Sequence, residues 1–174
     1  MNVKLLLIIG VFSTIISMGT LRCKKDNKIE EEFPPATSIG AEKLVCRVNG
    51  VVWKSSPSIN LVHPSMDNDY ISKSKILSVK GNRYPLSGNE SVIVELNKCD
   101  HIGNYPINGK DGFGGYWKDS EIYSADSLNI GSVNITRFDT INKIISGTFA
   151  FNAKLRNGTE VVKITEGWFD IKYY

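Results

Sequence analysis

Histidine and cysteine are scarce in this 174-residue chain, at two and three residues, so there is little material for a metal site or for imidazole and thiol chemistry. The sequence also lacks a G-x-S-x-G elbow, an H-E-x-x-H pair and a Gly-rich phosphate loop ahead of a helix. A charge of one sign is missing too: 21 Lys and Arg stand against 18 Asp and Glu. Losing Lys4 and Arg22 with a leader would leave 19 against 18, too even a balance to hold a phosphate backbone, so no nucleic-acid partner is expected. Beyond residue 18 no apolar run approaches the roughly 20 residues that a spanning helix needs. No metal and no cofactor is expected.

What the chain does have begins at Lys4, which precedes an apolar run from Leu5 to Met18. A positive start followed by a short apolar stretch is the pattern of a secretory signal peptide, and residues 1–22 are read as one. Cys23 lies between Thr20-Leu21-Arg22 and Lys24-Lys25-Asp26, like the first mature residue of a bacterial lipoprotein, and is the expected lipidation site. Several acyl chains, at about 0.8 kcal/mol per buried methylene, would hold it stably at a membrane. The expected location is therefore the cell envelope, lipid-anchored at the outer membrane and facing the periplasm or the surface. The alternative is a soluble exported chain, because Ser17-Met18-Gly19 offers small residues to an ordinary signal peptidase.

Residues 24–40 are polar, charged and broken by Pro34-Pro35, a composition that buries too little surface to offset its ordering entropy. Residues 23–40 are thus expected as a lipidated Cys and flexible tether, and residues 41–174 as one folded domain. In that domain apolar residues alternate instead of recurring at helical spacing. Leu44, Cys46 and Val48 share a face before Asn49-Gly50, a two-residue hairpin signal leading into Val51-Val52-Trp53. Val92, Val94 and Leu96 alternate with Ile93, Glu95 and Asn97, and Tyr70 to Lys80 leans to strand through its β-branched residues. Phe149, Phe151, Ala153 and Leu155 form another inward set. After Asn157-Gly158, the segments 160–165 and 167–173 read as two further strands of a meander. The fold class expected is all-β, an antiparallel β-sandwich, with a partly closed β-barrel as the alternative.

Several stretches resemble an uncharacterised family of Bacteroidota cell-envelope lipoproteins. Pro34-Pro35-Ala36-Thr37 and Cys46-Arg47-Val48-Asn49-Gly50 ending at Trp53 resemble its opening. Ile135-Thr136-Arg137-Phe138-Asp139, Ile144 to Phe151 and Val162 to Ile171 follow its pattern in order, while residues 55–130 match poorly. Arg22 before the Cys and Trp168 in place of an Arg are departures. The family is one of unknown function, so the resemblance implies location and fold and supplies no catalytic residue.

The richest region chemically is Gly103 to Tyr123, with five Gly and the aromatics Phe113, Tyr116, Trp117 and Tyr123. Read as a Gly-bent loop turning at Gly114-Gly115, it would present rigid rings to a glycan or a peptide, with Tyr116 and Trp117 pointing to opposite sides. The same rings could instead pack under the loop. Asp126-Ser127-Leu128 and Asp139-Thr140-Ile141 look like the Asp-Ser/Thr-apolar acceptor that Bacteroidota O-glycosylate, which makes Ser127 and Thr140 acceptor sites or simply turn residues. Asp67-Asn68-Asp69 has oxygens at alternate positions without the rest of a calcium loop and reads as a solvated turn. His63 and His101 read as exposed loop residues. Cys46 points inward and Cys99 is in phase with the outward set, so both are expected as free thiols.

These residues favour an envelope-anchored, non-enzymatic binding or accessory lipoprotein whose partners are the membrane, through its anchor, and a glycan or protein ligand. The alternative is a structural or assembly component of a cell-surface complex acting by strand pairing. Mass spectrometry of the mature N-terminus is expected to find an acylated Cys23; an unmodified Cys23 in a chain beginning at Thr20 would make the protein a soluble export.

Overall fold

The computed structural model describes residues 31–56, 66–86 and 88–173. Cys23, the expected leader of residues 1–22 and His63 lie outside the described residues. Among the described residues, eleven antiparallel strands account for the regular structure and there is no helix. β1 (Lys43–Val48) and β2 (Val51–Lys54) are joined by Asn49-Gly50, whose φ angles of 50° and 83° are the left-handed pair that a two-residue hairpin turn requires. β3 (Met66–Ile71), β4 (Ile76–Arg83) and β5 (Glu90–Leu96) follow, so the segment from Tyr70 to Lys80, expected as strand, is strand at both ends and a turn between, with Lys75 at φ 58°. Asp67-Asn68-Asp69 lies within β3 and is not the turn expected of it. β6 (Gly103–Ile107), β7 (Gly112–Lys118) and β8 (Glu121–Ser124) precede the long C-terminal strands β9 (Gly131–Asp139), β10 (Ile144–Leu155) and β11 (Val161–Lys172).

The fold is all-β, but the expected sandwich of two sheets is one sheet in the order β2-β1-β11-β10-β8-β7-β5-β4-β3, curled toward the partly closed barrel. The reason lies in β10. Its residues Ile144 to Phe151 pair with β9, which in turn pairs with β6, while Lys154 and Leu155 pair with β8. One strand edge thus carries two partners in succession, and the sheet forks there into two limbs. The limb from β8 to β3 closes over β1 and β2 and over the β9–β6 limb through apolar side chains. A side chain at Gly81 of β4 would meet Leu44 and Trp53 within about 3.3 Å, and Tyr70 of β3 packs edge-on to Phe138 of β9 and Tyr173. Val92, Val94 and Leu96 are fully buried there, on the face their alternation assigns them.

The segments 160–165 and 167–173 are a single twelve-residue strand, β11, rather than two. Opposite β10 the register steps from Gly167↔Phe149 to Ile164↔Phe151, and Glu166 takes a φ of 52°. This bulge inserts a residue and reverses the side-chain phase without turning the chain. Val162 and Ile164 point inward before it, Phe169 and Ile171 after it. A phase change beside a glycine looks like a turn in sequence.

Reversed phase puts Trp168 and Asp170 on the outer face, yet both are buried. Their cover is residues 34–41, expected to be tether up to Gly40. Asp170 accepts from the Thr37 hydroxyl at 2.7 Å, the Ile39, Gly40 and Ala41 amides at 2.9, 2.8 and 3.1 Å, and the Ser146 hydroxyl at 2.8 Å. Trp168 donates its indole N–H to the Pro34 carbonyl at 3.1 Å, and Lys54 pairs with Glu31 at 2.7 Å. Composition argued for a tether because this segment buries few apolar atoms; a single carboxylate with many donors holds it instead. Burial alone would raise the Asp170 pKa, but hydrogen bonds from Thr37, Ile39, Ser146 and Gly40 outweigh it and hold the carboxyl below its ordinary value.

Cys46 and Cys99 are free, as expected, though Cys99 is buried rather than outward because it lies past the end of β5, where the strand alternation no longer applies. Its amide donates to the Lys75 carbonyl. Arg83 and Glu90 lie near Cys46 and face each other in register at one end of the β4–β5 hairpin; Cys99 follows the other end, roughly 20 Å away at the strand rise per residue. Burial raises both thiol pKa values, that of Cys99 to about 11, which disfavours the thiolate at neutral pH.

Asp170→Asn should cost on the order of 3 kcal/mol in denaturant unfolding at pH 7, since an amide cannot accept all five donors. Deleting residues 31–40 should overlap with that loss and not add to it. Because the folded-state pKa is depressed, the stabilisation is complete above the unfolded value of about 3.9 and disappears as pH falls through the folded value. The gap between wild type and Asp170→Asn should therefore narrow on acidification below about pH 4, the unfolded carboxyl range.

Candidate functional site

The aromatic segment is not a Gly-bent loop. β7 runs regularly between β5 and β8, in register from Glu90↔Lys118 to Leu96↔Gly112, and Gly114 and Gly115 form no turn. The chain reverses on either side of the strand, with Gly109 at φ 79° and Asp119 at φ 52°. The glycines serve close approach: a side chain at Gly114 would meet the Phe151 ring at 2.9 Å, and one at Gly115 the Phe113 ring at 2.9 Å. Strand alternation then divides the four expected ligand-binding rings. Tyr116 and Tyr123 face each other in register, buried on the inner side with ring centroids 5.8 Å apart. Phe113 and Trp117 lie half-buried on the outer face, one on each side of Gly115.

Tyr116 and Tyr123 are thus core residues. Burial, and then the charge of Glu90, raises the Tyr116 pKa; burial and the Glu121 carboxylate push Tyr123 up to about 12. Neither can meet a ligand at the surface. Their neighbourhood holds a smaller cavity of about 160 Å³ where β2 meets β4 and β5. There Glu90 accepts from the Trp53 indole at 2.8 Å and pairs with Arg83 at 2.7 Å, closing the end of the core with an ion pair.

Phe113 and Trp117 wall a groove of about 390 Å³ that crosses four strands. Two register rows build it. Asp67, Lys80, Ile93 and Gly115 are aligned in one, and Asp69, Ser78, Glu95 and Phe113 in the next. Ile93 is the buried floor, Lys80 places its ammonium 4.9 Å from the Trp117 ring centroid, and the Ser78 hydroxyl donates to Glu95 at 3.2 Å. The Trp117 indole N–H is buried and has no hydrogen-bond partner among the described residues, so packing and the cation orient this ring. Asp67, Asp69, Ser78, Lys80 and Glu95 were not legible as site residues. Each has only an outward position on its own strand, and the pairing of β3, β4, β5 and β7 is what aligns them.

The remaining expectations fall on exposed turns. Ser127 is exposed in a turn held by Asp126, which accepts from the Leu128 and Asn129 amides at 2.8 and 2.7 Å; Thr140 is exposed in a like turn held by Asp139. Leu128 and Ile141, the apolar third residues, are 89% and 90% exposed. Hydrogen bonds from Asn129 and Leu128 hold the Asp126 carboxyl below its ordinary value, and those from Asn142 and Arg137 do the same for Asp139. His101 is exposed, with Nδ1 2.6 Å from Asp100, a carboxylate whose pKa is lowered by Lys75 and then His101. Among the described residues no three His, Cys, Asp or Glu side chains converge on a metal position.

Fold and groove define a class: an all-β domain on one forked, curled antiparallel sheet, with an aromatic and acidic groove across its outer face. Within it, the chain belongs to the family described as domain of unknown function DUF6252, which matches residues 66–171. The match takes in every groove residue and most of the interval where the sequence motifs were weakest. No curated protein and no solved structure matches the chain.

Truncating the inner rings and the outer rings should separate cleanly in thermal and denaturant unfolding. Tyr116→Ala is expected to cost about 3–5 kcal/mol, as for other buried aromatics, and Phe113→Ala about 1–2 kcal/mol.

Proposed function

We propose that this protein is a non-enzymatic binding module, held at the cell envelope by a lipid on Cys23, and that the groove on the outer face of β3, β4, β5 and β7 takes its ligand. One observation carries the reading: Phe113 and Trp117 stand half-exposed on a paired strand with Gly115 between them, over a floor formed by Ile93. Exposed rings on a rigid strand offer contact area at little entropic cost, which is what binding surfaces use. The chemistry around them is that of recognition, with carboxylates, one hydroxyl and one ammonium spread over separate strands.

Strand pairing, the alternative, has less support. β11 is already paired on both sides, by β1 and β10. The strands at the ends of the pairing order are β2, four residues long, β3, which alternates Asp67 and Asp69, and β6, which carries Pro106. Short length, charge and proline each discourage an added strand.

Trp117→Ala should abolish binding on combined glycan and peptide arrays while costing no more than about 1–2 kcal/mol of stability, against the larger loss from truncating a buried ring. Retention of every array signal by Trp117→Ala would refute the groove as the ligand site.

A further inference from the structure

We propose that the group recognised in this groove is a lysine or arginine side chain on an extended segment of a partner protein. The inference rests on the groove being the ligand site and adds the chemistry of what enters it. The groove carries Asp67, Asp69 and Glu95 against the single cation of Lys80, a local negative surplus on a chain whose formal charge is +3. The surplus is uneven between the two rows. Lys80 stands directly opposite Asp67, whereas Asp69, Ser78, Glu95 and Phe113 form a row with no cation.

Asp69 and Glu95 flank Ser78 on the two neighbouring strands, so their backbones are roughly 10 Å apart. Among the described residues the two carboxylates belong to no group of three metal-ligating side chains, and the span suits a long cationic side chain laid between them. Its methylene stem would lie along Ile93 and Phe113, and its head would meet the carboxylates with the ring of Phe113 beside it. The groove already holds one such arrangement within the chain, since the Lys80 ammonium sits against the Trp117 ring. That contact also counts against a sugar, because a pyranose stacking on the Trp117 face would have to displace Lys80 first. Four strands at about 4.8 Å spacing make a groove some 14 Å across, the reach of about four extended residues.

The test uses tryptophan fluorescence and calorimetry on the folded protein. Trp53 and Trp168 are buried, so a ligand in the groove is read by Trp117. The probes are an acetylated hexapeptide amide with two arginines at alternate positions, the same peptide with both arginines replaced by citrulline, and chitotriose as a neutral glycan. The arginine peptide should bind at least tenfold more tightly than the citrulline peptide and lose affinity as salt rises. The pair Asp69→Asn and Glu95→Gln should remove at least tenfold of that affinity with the melting temperature held, while Glu160→Gln, outside the groove, should leave it unchanged. Equal binding of the two peptides, undiminished binding by the double variant, or no binding of the arginine peptide at millimolar concentration would each overturn the inference. If chitotriose binds and is lost only in Trp117→Ala, the cation inference falls while the groove reading stands. If Trp117→Ala keeps every interaction, the groove reading falls with it.

Discussion

A twelve-residue strand that must satisfy two partners along one edge sets the form of this protein. β10 gives its first eight residues to β9 and its last two to β8, and beyond that fork the sheet continues as two limbs, the longer of which lays its apolar face against the shorter and against β1 and β2. The rest is a consequence of that geometry. The inner faces of β1, β4, β5, β7 and β11 become one core, and the outer face of the β3–β7 limb is left open to solvent. The bulge at Glu166 belongs to the same constraint, because β11 must track β10 over its whole length while its apolar residues change phase.

Placing Asp170 on that reversed phase creates a second requirement. A carboxylate fully removed from water is tolerable only where donors replace its hydration, and residues 37–41 supply four of the five that do. A polar segment with little hydrophobic surface thereby becomes part of the folded unit. The energetics are those of a cap, since the amides of Ile39, Gly40 and Ala41 converge on one anion much as helix-end amides converge on a capping side chain. Beyond the Trp168 bond to the Pro34 carbonyl, the docked stretch continues to Phe33, whose ring lies against Arg47, and to Glu31, which pairs with Lys54.

The groove owes its character to the contrast between the two faces of β7. Gly114 lets Phe151 approach from inside and Gly115 lets Phe113 lie flat outside, so a strand with little side-chain bulk at its centre carries aromatic rings on both faces. The inner rings are fixed by the core, and the outer ones are fixed by a paired backbone. A contact surface built in this way is preorganised, which lowers the ordering cost of any ligand it takes.

The sequence by itself determined everything that depends on alternation and local turn chemistry. The Asn49-Gly50 hairpin, the inward set Val92, Val94 and Leu96 and the all-β class follow from residue spacing, because a period of two and a left-handed pair at a turn are local properties. Tyr116 and Trp117 were separable as opposite-facing for the same reason. Which of them faced solvent was not, since that depends on which side the neighbouring limb covers. Only the tertiary structure decided that Tyr116 and Tyr123 are core, that the two C-terminal segments are one bulged strand, and that residues 34–41 are docked. Only the pairing of distant strands brought Asp69, Ser78, Glu95 and Phe113 into one row. Register between strands far apart in the chain is set by the burial of whole faces at once, and no window of sequence contains it.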